Sequence, residues 1–106
     1  MQVLRGQVCA ATIPPMEDEK YYVIVSNNQR NRALPTVLVA RITSSDKPEL
    51  RSIVAIPENE CVYGRILCDD IVEMWPEDDV RQILGGLSVT TMAAVDDGLK
   101  AAFGLD

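Results

Sequence analysis

Residues 38–48, LVARITSSDKP (Leu38 to Pro48), read as a strand running into a turn. Successive side chains of a strand point to opposite faces, so Leu38, Ala40 and Ile42 form one apolar stripe. Val37, Val39, Arg41 and Thr43 share the other face, which sets a guanidinium beside a hydroxyl where the strand ends. That edge is either a working surface or the solvated side of a small domain.

Working outward, the strand over Thr36–Thr43 has β-forming neighbours on both sides. Tyr21–Ser26, YYVIVS, is a nearly continuous β-forming run and so a strand covered on both faces. The intervening NNQRNRALP is rich in Asn, closes on Pro35 and reads as a loop. Gln7–Ile13 is a first strand, bounded by Arg5-Gly6 and by Pro14-Pro15. Downstream, Leu50–Ile56 is a weaker strand ended by Pro57, and Arg65–Met74 is a fifth extended region.

After Met74 the period changes. Pro76 followed by Glu-Asp-Asp-Val resembles a short helical turn, ended by Gly85-Gly86. Ser88 then caps a longer helix whose Met92, Val95, Leu99 and Phe103 form one apolar stripe packed on the sheet, with Gly104 as its C-cap. Gly98 inside that helix costs about 1 kcal/mol of helix propensity, or permits a close backbone approach. Trp75 reads as a hydrophobic anchor or dimer contact. Short strands followed by a terminal helix predict a mainly β fold with α, a small and strongly bent antiparallel barrel carrying a C-terminal helix. The 106 residues, with 47% hydrophobic content, make one domain, residues 1–106.

Composition narrows the chemistry. The chain has no histidine, which removes the commonest general base, the commonest metal ligand and every Ser-His or Cys-His pairing. Cys9, Cys61 and Cys68 are odd in number with no CxxC spacing, so reduced thiols are expected rather than a disulfide scaffold or zinc site. No apolar run approaches the roughly 18 residues that span a bilayer, and the first residues lack a signal-peptide pattern, so a cytoplasmic location is expected. The net charge of −6 is uneven. Residues 1–65 hold 8 Lys/Arg against 7 Asp/Glu, residues 66–106 only 2 against 9. An anionic partner would therefore meet the middle of the chain, where Arg30, Arg32, Arg41, Lys47 and Arg51 cluster, and avoid the C-terminal third.

The succession Arg5-Gly6-Gln7-Val8 with Ile13-Pro14-Pro15, YYVIVSNN (Tyr21–Asn28), VARITSS (Val39–Ser45), ILCDDI (Ile66–Ile71) and LSVTTMAAVDDGLKAAFGL (Leu87–Leu105) is similar, in order and spacing, to the MazF/PemK family of toxin endoribonucleases. The resemblance spans nearly the whole chain. It implies an SH3-like barrel, a homodimer, a cognate MazE-like antitoxin, and metal- and cofactor-independent cleavage of single-stranded RNA at short sequences. The implied chemistry is attack of a 2′-hydroxyl on the adjacent phosphate, leaving a 2′,3′-cyclic phosphate and a 5′-hydroxyl, which suits a chain without histidine.

Carried over residue by residue, Thr43 matches the family's catalytic threonine. Lys20 falls where the family has an arginine, keeping the charge but losing the bidentate fork. In a Kid-like subset an Arg-Cys-Asp segment supplies acid and base; here it reads Leu67-Cys68-Asp69, so Asp69 is retained as base and the acid is missing. Arg65 shares a face with Leu67 and Asp69 on an unbroken strand, and Arg41 shares Thr43's face, so either could supply the missing guanidinium. Arg65 is the favoured substitute. RNA binding then falls to Arg41, Ser44, Ser45, Asn27 and Arg30. Two rival functions accompany this reading. One is a gyrase poison of the CcdB type on the same barrel, disfavoured because the only tryptophan, Trp75, is far from the C-terminus. The other is a weakened MazF-like domain that binds RNA or a partner without cutting.

Overall fold

The computed structural model describes residues 1–105. Its elements run β1 (Gln7–Ala11), β2 (Lys20–Ile24), α1 (Asn28–Ala33), β3 (Val37–Thr43), β4 (Ile53–Ala55), β5 (Arg65–Met74), α2 (Pro76–Asp79), β6 (Val80–Gly86) and α3 (Val89–Phe103). The strands form one antiparallel six-stranded sheet in the order β4-β5-β3-β2-β1-β6. The mainly β architecture with a terminal helix is the one the pattern predicts, but the sheet is not closed, because β4 and β6 remain its two edges.

Both faces of the sheet are buried. Cys9, Tyr22, Ile24, Val37, Val39 and Met74 pack on one side with Val3. Val8, Val23, Ala40, Ile42, Ile66 and Cys68 pack on the other, beneath Val95 of α3. The face that Arg41 and Thr43 share is thus not a solvated side: Val37 and Val39 bury its first half, and Thr43 itself is 9% exposed. Strand alternation still separates the two sets as expected.

Two segments depart from their predicted form. The Asn-rich stretch is not a loop but α1, because Asn27 caps it, its side chain accepting from the Arg30 N–H at 2.8 Å. Buried Asn31 then donates from Nδ2 to the Ser26 carbonyl at 3.0 Å. Helical structure after Pro76 lasts only to Asp79, and Val80–Gly86 pairs with β1 as β6. That pairing carries two register shifts, so β6 lacks the clean alternation that marks a strand.

Helix α3 begins and ends as its caps require. Ser88 Oγ accepts from the Thr91 N–H, and Gly104 closes the helix at φ 68°. A side chain at Gly98 would lie 2.8 Å from Cys68 Sγ and 2.9 Å from Val54 Cγ2, so this glycine lets the helix axis sit on the sheet. Met92, Val95 and Leu99 belong to the core, whereas Phe103, placed by the periodicity on the same stripe, lies outside it and is 62% exposed. Trp75 is half exposed. No helix of the described residues is long and apolar enough to cross a membrane.

Candidate active site

The end of β3 is held from two directions. The Thr43 Oγ1 accepts a hydrogen bond from the Ser45 N–H at 3.1 Å, a turn in which the hydroxyl keeps its own hydrogen free to donate elsewhere. Gly64, at φ +128°, passes so close that a side chain there would stand 2.3 Å from the Thr43 carbonyl oxygen. Only a glycine admits that approach, and it fixes the turn entering β5 against the threonine.

Register sets the neighbours. Arg41 lies between Tyr22 on β2 and Leu67 on β5, and Thr43 is opposite Arg65. Tyr21 is opposite Ile42, so one further step along the ladder brings Lys20 alongside Thr43. Tyr22 and Leu67 are both buried, so the Arg41 stem runs between apolar groups. Its Nε is buried and has no hydrogen-bond partner among the described residues. A buried donor left unpaired costs about 1–3 kcal/mol, so this guanidinium has an unmet demand for an acceptor. Burial raises the Tyr22 hydroxyl above its ordinary value, with the Arg41 charge working against that rise.

These residues converge on an open cleft of about 380 Å³. Lys20, Arg41, Thr43, Ser44 and Ser45 all line it, so five of the residues singled out in the sequence come together. Ile42, Glu19, Tyr21 and Tyr63 complete the lining, and the last three were missed as site residues. Glu19 stands in an acidic run before Lys20, Tyr21 read only as part of a strand, and Tyr63 carried no motif. The one signal for Tyr63 was its place beside Gly64, where a turn enters a strand.

The other candidates lie elsewhere. Arg65 borders a neighbouring hollow of about 500 Å³ with Lys47 and Arg51, and its guanidinium is 3.7 Å from the exposed Asp46 carboxylate. Asp69 is exposed and does not face the cleft. The reason is a register shift: Ala40 pairs with Ile71 and Arg41 with Leu67, so Cys68, Asp69 and Asp70 bulge and the alternation from Arg65 to Asp69 is broken. Asn27 is occupied as the α1 cap. Arg30 donates to the Thr36 carbonyl at 2.9 Å and lies 3.7 Å from Glu73, tying α1 to the sheet. Burial pushes the thiols of Cys68 and Cys9 up to about 11 and about 12, which leaves both protonated and inert at neutral pH.

Comparison with known proteins supplies the family. Residues 4–103 match the family model of the PemK-like, MazF-like toxin of type II toxin–antitoxin systems. The chain is 31% identical over 102 residues to endoribonuclease MazF1 of Mycobacterium bovis and to endoribonuclease MazF4 of Mycobacterium tuberculosis, covering 96% of this chain and 93% of each relative. A mycobacterial endoribonuclease solved in complex with its cognate antitoxin superposes with a TM-score of 0.89 at 29% identity, over 98% of this chain and 97% of that one. A MazE–MazF assembly from Deinococcus radiodurans shares the fold at a TM-score of 0.80 and 17% identity, over 100% and 99% of the chains. With a cleft of hydroxyls and cations at the predicted strand end and the family pattern over nearly its whole length, the chain belongs to the PemK-like, MazF-like toxins of type II toxin–antitoxin systems.

Proposed function

We propose that the protein is a metal-independent, sequence-specific endoribonuclease that cuts single-stranded RNA in the cleft at the end of β3. The observation that carries this is Arg41, whose buried Nε lacks a partner, lining the same cleft as Thr43 and Lys20. A phosphodiester is the substrate group that suits two cations and a hydroxyl together.

In this reading the 2′-oxygen of the RNA attacks the adjacent phosphorus as its proton passes to a carboxylate. The bond from phosphorus to the 5′-oxygen then breaks, and that oxygen leaves with a proton from an acid. The products are a 2′,3′-cyclic phosphate and a 5′-hydroxyl. Thr43 donates to a non-bridging oxygen and Arg41 neutralises the charge that builds on the phosphorane. Lys20 is the acid at the leaving oxygen. Glu19 is the carboxylate that borders the cleft, and it takes the 2′-hydroxyl proton. Asp69, the base that the family resemblance implies, lies outside the cleft, and Glu19→Gln against Asp69→Asn separates the two. Ser44 and Ser45 hold the phosphate through the turn, and Arg65 serves the strand beyond the scissile bond. Asn27 and Arg30 act on RNA only indirectly, through α1.

We further infer a homodimer, neutralised by an antitoxin chain and working in the cytoplasm, as the relatives' antitoxin complexes and the family assignment support. The test is direct: purified protein is incubated with a long single-stranded RNA in EDTA and new 5′-hydroxyl ends are mapped. Recurrent ends at one short sequence support the reading. Binding without ends would assign the chain to a non-cutting role, as the loss of the family arginine at Leu67 would then explain.

A further inference from the structure

We propose that Tyr63 is the stacking platform for an unpaired RNA base beside the scissile phosphate, with Tyr21 as the second wall of that base site. The proposal rests on the RNA-cleaving reading above.

Tyr63 is 80% exposed, more than any other aromatic residue described. An aromatic side chain contributes to a fold by burying roughly 150–250 Å², and this one buries little. Its side chain makes no hydrogen bond to any described residue. Yet its backbone is anchored on both sides. Val62 packs into the core beneath α3, and Gly64 is wedged against the Thr43 carbonyl. The Gly64 carbonyl also accepts from the Ile56 N–H at 3.0 Å. The ring is therefore an exposed aromatic face on a fixed base, one residue from the contact that positions Thr43.

Tyr63 lines the same cleft as Lys20, Arg41 and Thr43, and so does Tyr21, which is 44% exposed. Cations beside exposed aromatic rings are what single-stranded nucleic acid needs: the cations hold the backbone and the rings hold the bases. In duplex RNA each base face is already covered by its neighbours, so a platform at this point admits only a base that can leave its stack. Stacking also matters more here than in a basic protein, because a chain of net charge −6 gains little from general attraction to phosphates. Tyr63 thus acts on binding and on the choice of single strands, while the polar floor of the cleft does the chemistry.

Two measurements on wild type, Tyr63→Phe and Tyr63→Ala test this. The first is steady-state cleavage of a single-stranded RNA containing a mapped cut site. The second is fluorescence quenching of 2-aminopurine in an uncleavable 2′-O-methyl RNA of randomised sequence, which reports stacking without chemistry. The expected result is a KM raised about tenfold to hundredfold in Tyr63→Ala with kcat nearly unchanged, quenching lost in that variant, and both restored in Tyr63→Phe. A Tyr63→Ala protein with wild-type KM and wild-type quenching overturns the proposal and leaves cleavage standing. A wild type that cuts no RNA but quenches, with quenching lost in Tyr63→Ala, upholds the platform and overturns the cleavage reading instead.

Discussion

Thr43 and Arg65 stand opposite one another across the β3–β5 ladder, yet only Thr43 borders the cleft. Arg65 borders the adjoining hollow with Lys47 and Arg51 and is drawn toward Asp46. Cross-strand pairing fixes which residues are neighbours, but not the hollow into which a long side chain extends.

The hydroxyl prediction follows from the turn at Ser45. Because Thr43 Oγ1 already accepts from the Ser45 N–H, its proton is the free donor, and Thr43→Val would remove the proposed phosphate contact at nearly constant shape. Cleavage should fall by about 10²-fold or more while the unfolding midpoint changes little. Thr43→Ser should keep most of the activity. A folded Thr43→Val enzyme with full activity would remove the centre of the site.

Arg41 and Arg65 should separate kinetically. Arg41 lines the cleft with Thr43, so Arg41→Ala should lower kcat by about 10²-fold or more. Arg65→Ala should raise KM with kcat nearly unchanged, as expected of a cation that holds RNA away from the reacting phosphate. The reverse pattern would return the charge-stabilising role to Arg65.

Gly98→Ala sets helix propensity against packing. Alanine is favoured in a helix interior by about 1 kcal/mol. Its methyl would lie 2.8 Å from Cys68 Sγ and 2.9 Å from Val54 Cγ2, and overpacking of that kind costs about 1–3 kcal/mol. The variant should therefore be destabilised in urea unfolding, and adding Cys68→Ala should recover part of the loss. An additive pair would show that the helix shifts freely and that the close approach matters little.

How much of this was legible in the sequence depends on the range of the interaction. Ser88, Gly104 and the alternation through Val37–Thr43 are local signals, and each element they mark is present. Asn27 carried a local signal too, but Asn serves loops and helix caps equally, and only the fold's burial of Asn31 decides between them. Thr43, Lys20 and Arg41 line one cleft, as a strand end and its neighbour read from pattern and family resemblance had suggested. Asp69 was carried over from the family's Arg-Cys-Asp segment and aligned with Arg65 by assuming an unbroken strand, and the bulge at Cys68–Asp70 is a tertiary event with no mark in the local pattern. Glu19 and Tyr63 escaped because their value lies in which cleft they border.

The last prediction concerns pH and the start of α3. Glu60 reaches across from the turn before β5 and accepts from the Ser88 N–H at 3.1 Å, from Ser88 Oγ at 2.7 Å and from the Thr91 hydroxyl. The bond from Thr91 is the largest cause, followed by that from the Ser88 hydroxyl, and together they hold the carboxyl below its ordinary value of 4.5. A carboxylate near a helix N-terminus is also favoured by the helix dipole. A group whose acidity is strengthened by folding contributes stability above its unfolded value and loses that contribution as the pH falls through its folded value. Wild type should therefore be more stable than Glu60→Gln at pH 7, and the gap should close as the pH is taken down well below 4.5. Urea midpoints of the two proteins across this range measure it. A gap of constant size from neutral to acid would mean that the glutamate works through shape alone and that its charge plays no part in starting α3.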